Sequence, residues 1–572
     1  MKRFFKWFSI ILGVFFVLIL FAYFIISSIF DTEPIVSDNS YLYISLSGQI
    51  PEYLPFDGFE EFFETSGIDM HSIRKSLKMA AVDERIKGVV LKINPLLTGY
   101  AKVQEIQQSL VEFRKSGKKV FAYFDLVTTK EYYLATACDS IYCAPEGLML
   151  LTGVRAELTF YKDLLTKHIG IEADFEHVGK YKNAPDAYMR QTMSNEQKEV
   201  VSNIVDSRYN EIVSTISNER SIDQNQVANI INEISGLTPD EALELNLIDG
   251  LKYFDEVIDL FSIEGKIRKI SISDYSRLSP SSLDLEQGPK IAVIYSSGTI
   301  TGGNDSDDPI LGQTLGASRL IRNIRSAADV NSIKAIVIRI NSPGGSGIAS
   351  DNILNAINYA REKKPIVASI SDMGASGGYY IAIGADTIVS QSASLVGSIG
   401  VFAGKFSLEN LYKNWGINTE TVQKGKNAGI FSLSQKFTKS ERKIIQKIIT
   451  DFYTNFVQKV SEKRDRSFNE IHDIAQGRVW TGCDGYEIGL IDTLGGLNTA
   501  IEMAKNLAGI NKDIDPKLII YPRKKSVISK LIKNLTLVKN SQQYMLINNA
   551  KNFIKEFELK PLALMPFELR LN

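Results

Sequence analysis

A serine between small residues is the clearest candidate for chemistry in this chain. Ser376 lies in the stretch DMGASGGYY, and Gly345 lies 31 positions earlier in NSPGGS. Glycine has no Cβ, so a strand followed by Pro-Gly-Gly can turn its amides towards a ligand. Such amides stabilise an oxyanion, and a serine at a strand-to-helix turn exposes its hydroxyl. Either stretch alone is compatible with a simple tight turn, but together they predict a serine nucleophile.

A serine hydroxyl is a weak nucleophile until a neighbouring group takes its proton. The four histidines are scattered and lie outside the Gly-rich and Ser-rich stretches, so a histidine-based triad is not favoured: they are His71, His168, His177 and His472. A neutral lysine is the natural alternative. Because free lysine has a pKa of about 10.4, a lysine base that works near neutral pH must be buried, which costs roughly 4 kcal/mol of desolvation.

The elements that would position these groups occur twice. RIKGVVLKIN ends at Asn94 and SIKAIVIRIN ends at Asn341, a difference of 247 positions. YYLATACDSI and YYIAIGADTI keep this offset, since Asp139 and Asp386 again differ by 247. Each copy alternates β-branched strands with amphipathic helices, as at 335–340, 350–361 and 366–370 in the second copy. This alternation predicts an α/β fold of two tandem βαβ repeats, each built on a mostly parallel sheet.

The repeats divide the chain as follows. We expect a basic N-terminus at 1–6, a first repeat at 40–275, a Ser/Pro-rich linker at 276–289, a second repeat at 290–510 and a basic tail at 511–572. The stretch PRKKSVISKLIKNL in this tail is interpreted as a docking helix, a surface-associated segment or a solvated helix face.

The two copies differ where chemistry is expected. The first copy has NPLLTG in place of NSPGGS, and DLVTTKEYY in place of DMGASGGYY. A residue that only one copy retains is not required by the shared fold. The glycines and Ser376 are therefore interpreted as functional, and the second copy is predicted to carry the nucleophile.

SPGGS, MGASGGYY and SLVGSIG together resemble the long, two-repeat form of signal peptide peptidase A, within the Clp-protease/crotonase fold group. The resemblance covers about residues 40 to 510. It implies a Ser–Lys endopeptidase that degrades cleaved signal peptides at the bacterial inner membrane as a homo-oligomer, a tetramer. By matching position it implies Ser376 as nucleophile, Gly345 and Gly377 as oxyanion donors, and Ser398 as the hydroxyl that orients the base.

The resemblance also implies a base from the first repeat. The matching segment is VGKYKNAP, in which Lys182 is the matched lysine and Lys180 is a weaker candidate. VQKGKNAG in the second repeat retains a lysine at the equivalent position, Lys426, and single-repeat relatives take the base from there. The flanking Tyr181 and Ala184 favour Lys182, and Lys426 remains the alternative.

An apolar segment precedes the first repeat. Residues 7–30 contain no charge over 24 residues, which is long enough for a helix to cross a bilayer. Lys2, Arg3 and Lys6 precede the segment and acidic residues follow it, so the positive-inside rule predicts a cytoplasmic N-terminus. A cleaved signal peptide is the alternative, but no clear cleavage site follows the segment. We therefore expect a single-pass anchor with a periplasmic catalytic part.

Composition narrows the remaining possibilities. With 572 residues, 44% of them hydrophobic, and a formal net charge of -1, the chain is expected to be globular with two to four domains and no affinity for nucleic acid. Three cysteines do not form a disulfide framework or a zinc site, and no cofactor or metal is implied. Two other functions stay open: a crotonase-type acyl-CoA enzyme, and a non-catalytic scaffold that binds peptides at a membrane.

Overall fold

The computed structural model describes residues 33–55, 67–260, 262–263, 266–305, 307–308, 312–523, 562–565 and 570–571, together with Trp7, Gly13 and Val14. The predicted membrane span at 7–30 lies outside the described residues apart from those three positions. Almost all of the basic stretch after residue 521 lies outside them as well. Within the described part of the chain, no helix combines the length and the apolar character needed to cross a bilayer.

Each half of the chain is built on its own mainly parallel sheet, which we call the N-terminal sheet and the C-terminal sheet. In the N-terminal sheet, strand Ser40–Gly48 pairs in parallel with Ile86–Leu96, which pairs in parallel with Lys119–Thr128. In the C-terminal sheet, Lys290–Ser297 pairs in parallel with Ile333–Ser342, which pairs in parallel with Ile366–Ala375. The predicted α/β architecture with mostly parallel sheets is confirmed.

The central strands are buried on both faces, as expected for parallel sheets covered by helices. In strand Ile333–Ser342, the side chains of Ile336, Ile338 and Ile340 join the larger apolar core of this half. Val337 points the other way, into a second core on the opposite face of the sheet. The β-branched run therefore forms a strand because both of its faces are covered.

Equivalent elements recur at the offset that the sequence indicates. Helix Tyr100–Arg114 and strand Lys119–Thr128 reappear 247 positions later as helix Gly347–Arg361 and strand Ile366–Ala375. Helix Gly347–Arg361 begins three residues before the predicted start at 350, because Ser346 caps it by accepting a hydrogen bond from the Ala349 N–H.

A third sheet, which we call the shared sheet, joins the two halves. Strand Glu172–Val178 of the first half pairs antiparallel with Val401–Ser407 of the second over seven residues. The same sheet continues through Leu562–Leu564, Gly344–Ser346, Thr299–Thr301, Gly312–Gly316 and Asp307–Asp308. Through this pairing, the segment that follows Val178 is held against the second half.

A buried ionic cluster also joins the halves. Arg339, which is 0% exposed, donates from Nε to Glu52 at 2.8 Å and from Nη2 to Glu105 at 2.5 Å. Both carboxylates belong to the first half. Because buried charges are tolerated only when they are paired, this cluster fixes how the two halves dock.

The other elements of the first half cover its sheet and lead to the second half. The strands are Ser140–Leu150, Ala156–Glu157, Gly236–Leu237, Gly250–Leu251, Ser262–Ile263, Lys266–Ile267 and Lys269–Ser271. The helices are Met70–Val82, Thr129–Ala135, Asp186–Met189, Asn195–Arg220, Gln224–Asn229, Pro239–Glu244, Phe254–Asp259 and Ile272–Tyr275, with π turns at Leu164–Ile169 and Ile230–Ile234 and a 3-10 turn at Pro280–Leu283.

The second half has a matching set and ends in strands that the sequence does not predict. The strands are Thr387–Ser390, Leu395–Gly397, Val479–Thr481, Thr493–Leu494, Lys517–Tyr521 and Arg570–Leu571. The helices are Ala317–Asp329, Gly377–Ala382, Glu409–Asn414, Lys439–Arg464, Phe468–Ile474, Gly482–Glu487 and Leu497–Leu507. Lys517–Tyr521 forms an edge of the C-terminal sheet beside Lys290–Ser297, and it lies beyond residue 510.

Candidate active site

Ser376 lies at the turn between strand Ile366–Ala375 and helix Gly377–Ala382. Its backbone has φ 54° and ψ −112°, a region that residues other than glycine rarely adopt. The turn is held by two hydrogen bonds of 2.8 Å: the Ser376 N–H donates to the Gly397 carbonyl, and the Tyr380 N–H donates to the Ser376 carbonyl. The serine predicted as a nucleophile therefore sits on a strained, well-anchored turn, and it is 0% exposed.

Lys182 reaches this serine from the first half. It follows strand Glu172–Val178 in a turn in which the Tyr181 N–H donates to the Gln476 carbonyl at 2.9 Å. Its Nζ lies 2.8 Å from Ser376 Oγ. The two side chains, which are 194 positions apart in the sequence, are brought together by the antiparallel pairing in the shared sheet.

Ser398 completes the polar contacts of the lysine. Lys182 Nζ lies 3.0 Å from Ser398 Oγ and 3.3 Å from the Ser398 carbonyl oxygen. Ser398 also has a positive φ, of 50°, and its N–H donates to the Arg478 carbonyl at 2.7 Å. The hydroxyl implied to orient the base is thus held in place by its own backbone.

The surroundings of Lys182 favour the neutral amine. The side chain is 0% exposed, and burial holds the pKa of Lys182 well below its ordinary value of 10.5. Desolvation is the cause, and no carboxylate among the described residues opposes it. A neutral amine within hydrogen-bond distance of a serine hydroxyl is suited to accept the serine proton.

Two glycines that the sequence analysis missed pack against this lysine. A Cβ on Gly477 would lie 2.6 Å from the Lys182 backbone nitrogen, and a Cβ on Gly400 would lie 3.1 Å from Lys182 Cδ. Gly400 belongs to the GSIG stretch, which contains the candidate Ser398, so it could have been identified from the sequence. Gly477 could not, because a single glycine in QGRVW is typical of any turn.

The predicted oxyanion donors lie on neighbouring segments beside Ser376. Gly377 follows the serine directly, and a Cβ on Gly344 would lie only 2.6 Å from the Gly377 nitrogen. Gly345 is next in strand Gly344–Ser346, where a Cβ would lie 2.1 Å from the Ile300 carbonyl oxygen. Close backbone approach therefore requires glycine at both positions of the Pro-Gly-Gly turn.

The alternative bases do not contact the serine through any hydrogen bond of the described residues. Lys426 and Lys180 are exposed, and the Lys180 ammonium lies over the Tyr181 ring, 4.9 Å from its centroid. Among the histidines, His71 and His472 each hydrogen-bond a tyrosine, whereas His168 and His177 are exposed. Of the candidates from the sequence, the structure brings together Lys182, Ser376 and Ser398, with Gly345 and Gly377 on the segments beside the serine.

Comparison with known proteins agrees with this geometry. The model of peptidase family S49 matches residues 112–268 and 358–511, one segment in each half. The chain is similar to "Serine protease SPPA, chloroplastic" of Arabidopsis thaliana, with 36% identity over 83% of this chain and 70% of that protein. It is also similar to "Protease 4" of Haemophilus influenzae, with 31% identity over 77% of this chain and 73% of that protein.

Among solved structures, a ClpP1 mutant from Listeria monocytogenes matches 36% of this chain and 94% of its own chain at 14% identity, with a TM-score of 0.25. The sequence relatives and the family model, which cover both halves, carry the assignment. The chain therefore belongs to peptidase family S49, as a serine endopeptidase of the long, two-repeat form of signal peptide peptidase A.

Proposed function

We propose that this serine endopeptidase acts through a Ser376–Lys182 dyad and degrades cleaved signal peptides at the bacterial inner membrane. One observation carries the proposal: Lys182 Nζ lies 2.8 Å from Ser376 Oγ in a site where both residues are 0% exposed. A lysine without a paired carboxylate is expensive to bury, so its presence there favours a role that needs the neutral amine.

The dyad performs acyl transfer in two steps. Neutral Lys182 accepts the proton of Ser376 while Oγ attacks the peptide carbonyl carbon, and the Gly345 and Gly377 amides bind the oxyanion. The resulting ammonium then donates its proton to the departing amine. Water hydrolyses the acyl-enzyme with Lys182 again as base, which regenerates the Ser376 hydroxyl.

Ser398 acts on the base and not on the substrate. Its hydroxyl and carbonyl oxygens lie within 3.3 Å of Lys182 Nζ, so they orient the amine and stabilise the ammonium that forms during the reaction. Because this stabilisation is present when the proton is transferred, it lowers the barrier without contacting the peptide.

Extended apolar peptides are the substrates that fit this arrangement. Strand Gly344–Ser346 lies beside the turn that carries the serine, and a peptide added along such a strand is held mainly by main-chain hydrogen bonds.

The proposal also covers how the chain is held at the membrane. The segment at 7–30 anchors the chain, with a cytoplasmic N-terminus and a periplasmic catalytic part. The protein assembles as a homo-oligomer, a tetramer. Peptides released in that membrane would meet the site directly.

A serine-directed fluorophosphonate and a fluorogenic apolar peptide test the dyad. The full chain in detergent should be labelled and should hydrolyse the peptide, whereas Ser376→Ala and Lys182→Met should do neither. Lys426→Met is the matched control and should behave like the wild type. Loss of labelling in Lys426→Met with retention in Lys182→Met would reverse the assignment of the base.

The same preparation tests the other two functions. Turnover of an acyl-CoA that does not depend on Ser376 would favour a crotonase-type enzyme. Peptide binding that persists in Ser376→Ala without any hydrolysis by the wild type would favour a scaffold. Carbonate extraction of membranes, with and without residues 1–30, tests the anchor, because only the longer chain should stay with the bilayer.

A further inference from the structure

A segment near the C-terminus occupies the sheet beside the serine. Strand Leu562–Leu564 lies between Gly344–Ser346 and Val401–Ser407 in the shared sheet. Its antiparallel register pairs Leu564 with Gly344, Ala563 with Gly345 and Leu562 with Ser346. This is the edge at which an extended peptide would have to bind in order to reach Ser376.

The register brings one carbonyl of this segment to the predicted oxyanion donors. The Met565 N–H donates to the Pro343 carbonyl at 2.7 Å. Hydrogen-bonded pairs alternate along an antiparallel ladder, so the next such pair is Gly345 with Ala563, in which the Gly345 N–H faces the Ala563 carbonyl oxygen.

The second donor lies close to the same oxygen. A Cβ on Gly377 would be 3.2 Å from the Ala563 carbonyl oxygen, and a Cβ on Gly344 would be 1.9 Å from it. The Ala563 carbonyl thus takes the position that the mechanism assigns to the carbonyl under attack. Gly344 must lack a side chain for this strand to fit.

The side chains of the segment are buried in apolar surroundings. Ala563 is 0% exposed and Leu562 is 4% exposed. Leu562 packs in a cluster with Phe175, Phe402 and Phe406. Met565 packs on the other side, in the cluster that contains Tyr181 and Ala375.

We propose that 562–565 is an inhibitory strand of the chain itself, which binds the substrate cleft as a peptide would, with Ala563 at the position of the attacked residue. The strand excludes other peptides until it is displaced. It also indicates the preferred substrate: a small residue at the attacked position, with larger apolar residues on both sides. The identification of this groove as the substrate cleft rests on the proposed function, whereas the contacts of the strand do not depend on it.

Peptide binding to inactive protein tests the strand without relying on catalysis. A fluorescein-labelled peptide PLALMPF, which copies residues 561–567, is titrated by fluorescence anisotropy into full-length Ser376→Ala and into the same variant truncated after Pro561. A tethered competitor acts at an effective concentration of about millimolar, so truncation should lower the Kd at least tenfold.

Two substitutions at one position serve as a matched pair in the same background. Ala563→Arg cannot be accommodated in a fully buried position, so it should lower the Kd like the truncation. Ala563→Ser retains the size and the backbone, so it should behave like the full-length protein. The inference is overturned if all four proteins have equal Kd values. It is overturned as well if truncation has no effect and Ala563→Arg and Ala563→Ser have equal Kd values.

Hydrolysis by the proteins that retain Ser376 is measured separately. If Ser376 and Lys182 prove dispensable while truncation still tightens peptide binding, the proposed function fails and the inhibitory strand stands. If the dyad is confirmed while truncation changes neither the Kd nor the KM, the inhibitory strand fails alone.

Discussion

Replacing Lys182 with methionine tests the electrostatic argument most directly. Methionine keeps the approximate length and apolar volume of the lysine side chain but has no proton to exchange. The pKa of Lys182 is held well below 10.5 by burial, so folding disfavours the charged form of this residue. We expect Lys182→Met to change how stability depends on pH, in addition to slowing hydrolysis.

The sign and size of the effect follow from proton linkage. Between the folded-state pKa of Lys182 and about pH 10.4, the unfolded chain binds a proton that the folded chain does not. The free energy of unfolding of the wild type should therefore rise with pH in this window by about 1.4 kcal/mol per pH unit relative to Lys182→Met. The destabilisation that comes from burying Lys182 without its proton vanishes above this pH window and grows as the pH falls through it.

This slope separates titration from packing. Methionine leaves both oxygens of Ser398 without their partner, and each buried unsatisfied group costs about 1–3 kcal/mol. That loss shifts the stability of the variant by a constant, because the Ser398 hydroxyl and carbonyl do not titrate over this range. A difference between the two proteins that changes with pH can only come from the lysine proton.

Urea unfolding at several pH values between 7 and 10 measures the slope, with Lys426→Met as the control. The control should follow the wild type, since Lys426 is exposed. In parallel, the kcat/KM of Lys182→Met for a fluorogenic peptide should fall by about 10²–10⁴. The reasoning is refuted if the wild type and Lys182→Met keep a constant stability difference across the range, because Lys182 would then be charged in the folded protein.

Three further substitutions address the groups around the dyad. Ser398→Ala removes the 3.0 Å contact with Lys182 Nζ. It should lower kcat roughly tenfold, which corresponds to a barrier raised by about 1.4 kcal/mol, and leave KM unchanged. A rise of KM in steady-state kinetics, without the fall of kcat, would contradict this. Gly345→Ala sets a Cβ 2.1 Å from the Ile300 carbonyl oxygen. It should lower kcat by about 10²–10³ because the amide that binds the oxyanion is displaced. Circular dichroism checks that the variant folds, and a fully active variant would argue against this donor. Arg339→Met leaves Glu105 buried without its Arg339 partner and leaves Glu52 with the more distant Lys102, 3.7 Å away. It should destabilise the chain by about 3–5 kcal/mol in urea unfolding, and a loss below 1 kcal/mol would mean that the cluster does not hold the halves together.

Much of the fold could be predicted because the repeat is strongly patterned. Helix Gly347–Arg361 and strand Ile366–Ala375 lie 247 positions after their counterparts, as the matching of SIKAIVIRIN with RIKGVVLKIN indicates. Long β-branched runs and amphipathic helices depend mainly on local sequence. They are therefore visible without knowledge of their partners.

The shared sheet could not be predicted in the same way. Strand Leu562–Leu564 contains only three residues, and its partner Gly344–Ser346 is equally short and rich in glycine. Neither has the alternation that identifies a strand, and their pairing depends on contacts between residues more than 200 positions apart. The same applies to Lys517–Tyr521, which is a strand because Lys290–Ser297 leaves an edge free.

The candidate site was partly accessible from the residue pattern. Ser376 stands out because the first copy lacks it, and the glycines stand out for the same reason. The base does not, since VGKYKNAP and VQKGKNAG both retain a lysine. The flanking Tyr181 and Ala184 favour Lys182 but leave Lys426 open, and packing separates the two lysines: Lys182 is 0% exposed, whereas Lys426 is exposed.

The 194 positions between Lys182 and Ser376 also affect when the enzyme becomes active during its synthesis. A ribosome that adds about 5–20 residues per second needs roughly 10–40 s to travel from the lysine codon to the serine codon. Throughout that interval the nascent chain contains Lys182 without Ser376, so the proposed dyad cannot form. On the proposed mechanism, proteolysis therefore cannot begin until translation has passed the serine codon in the second copy.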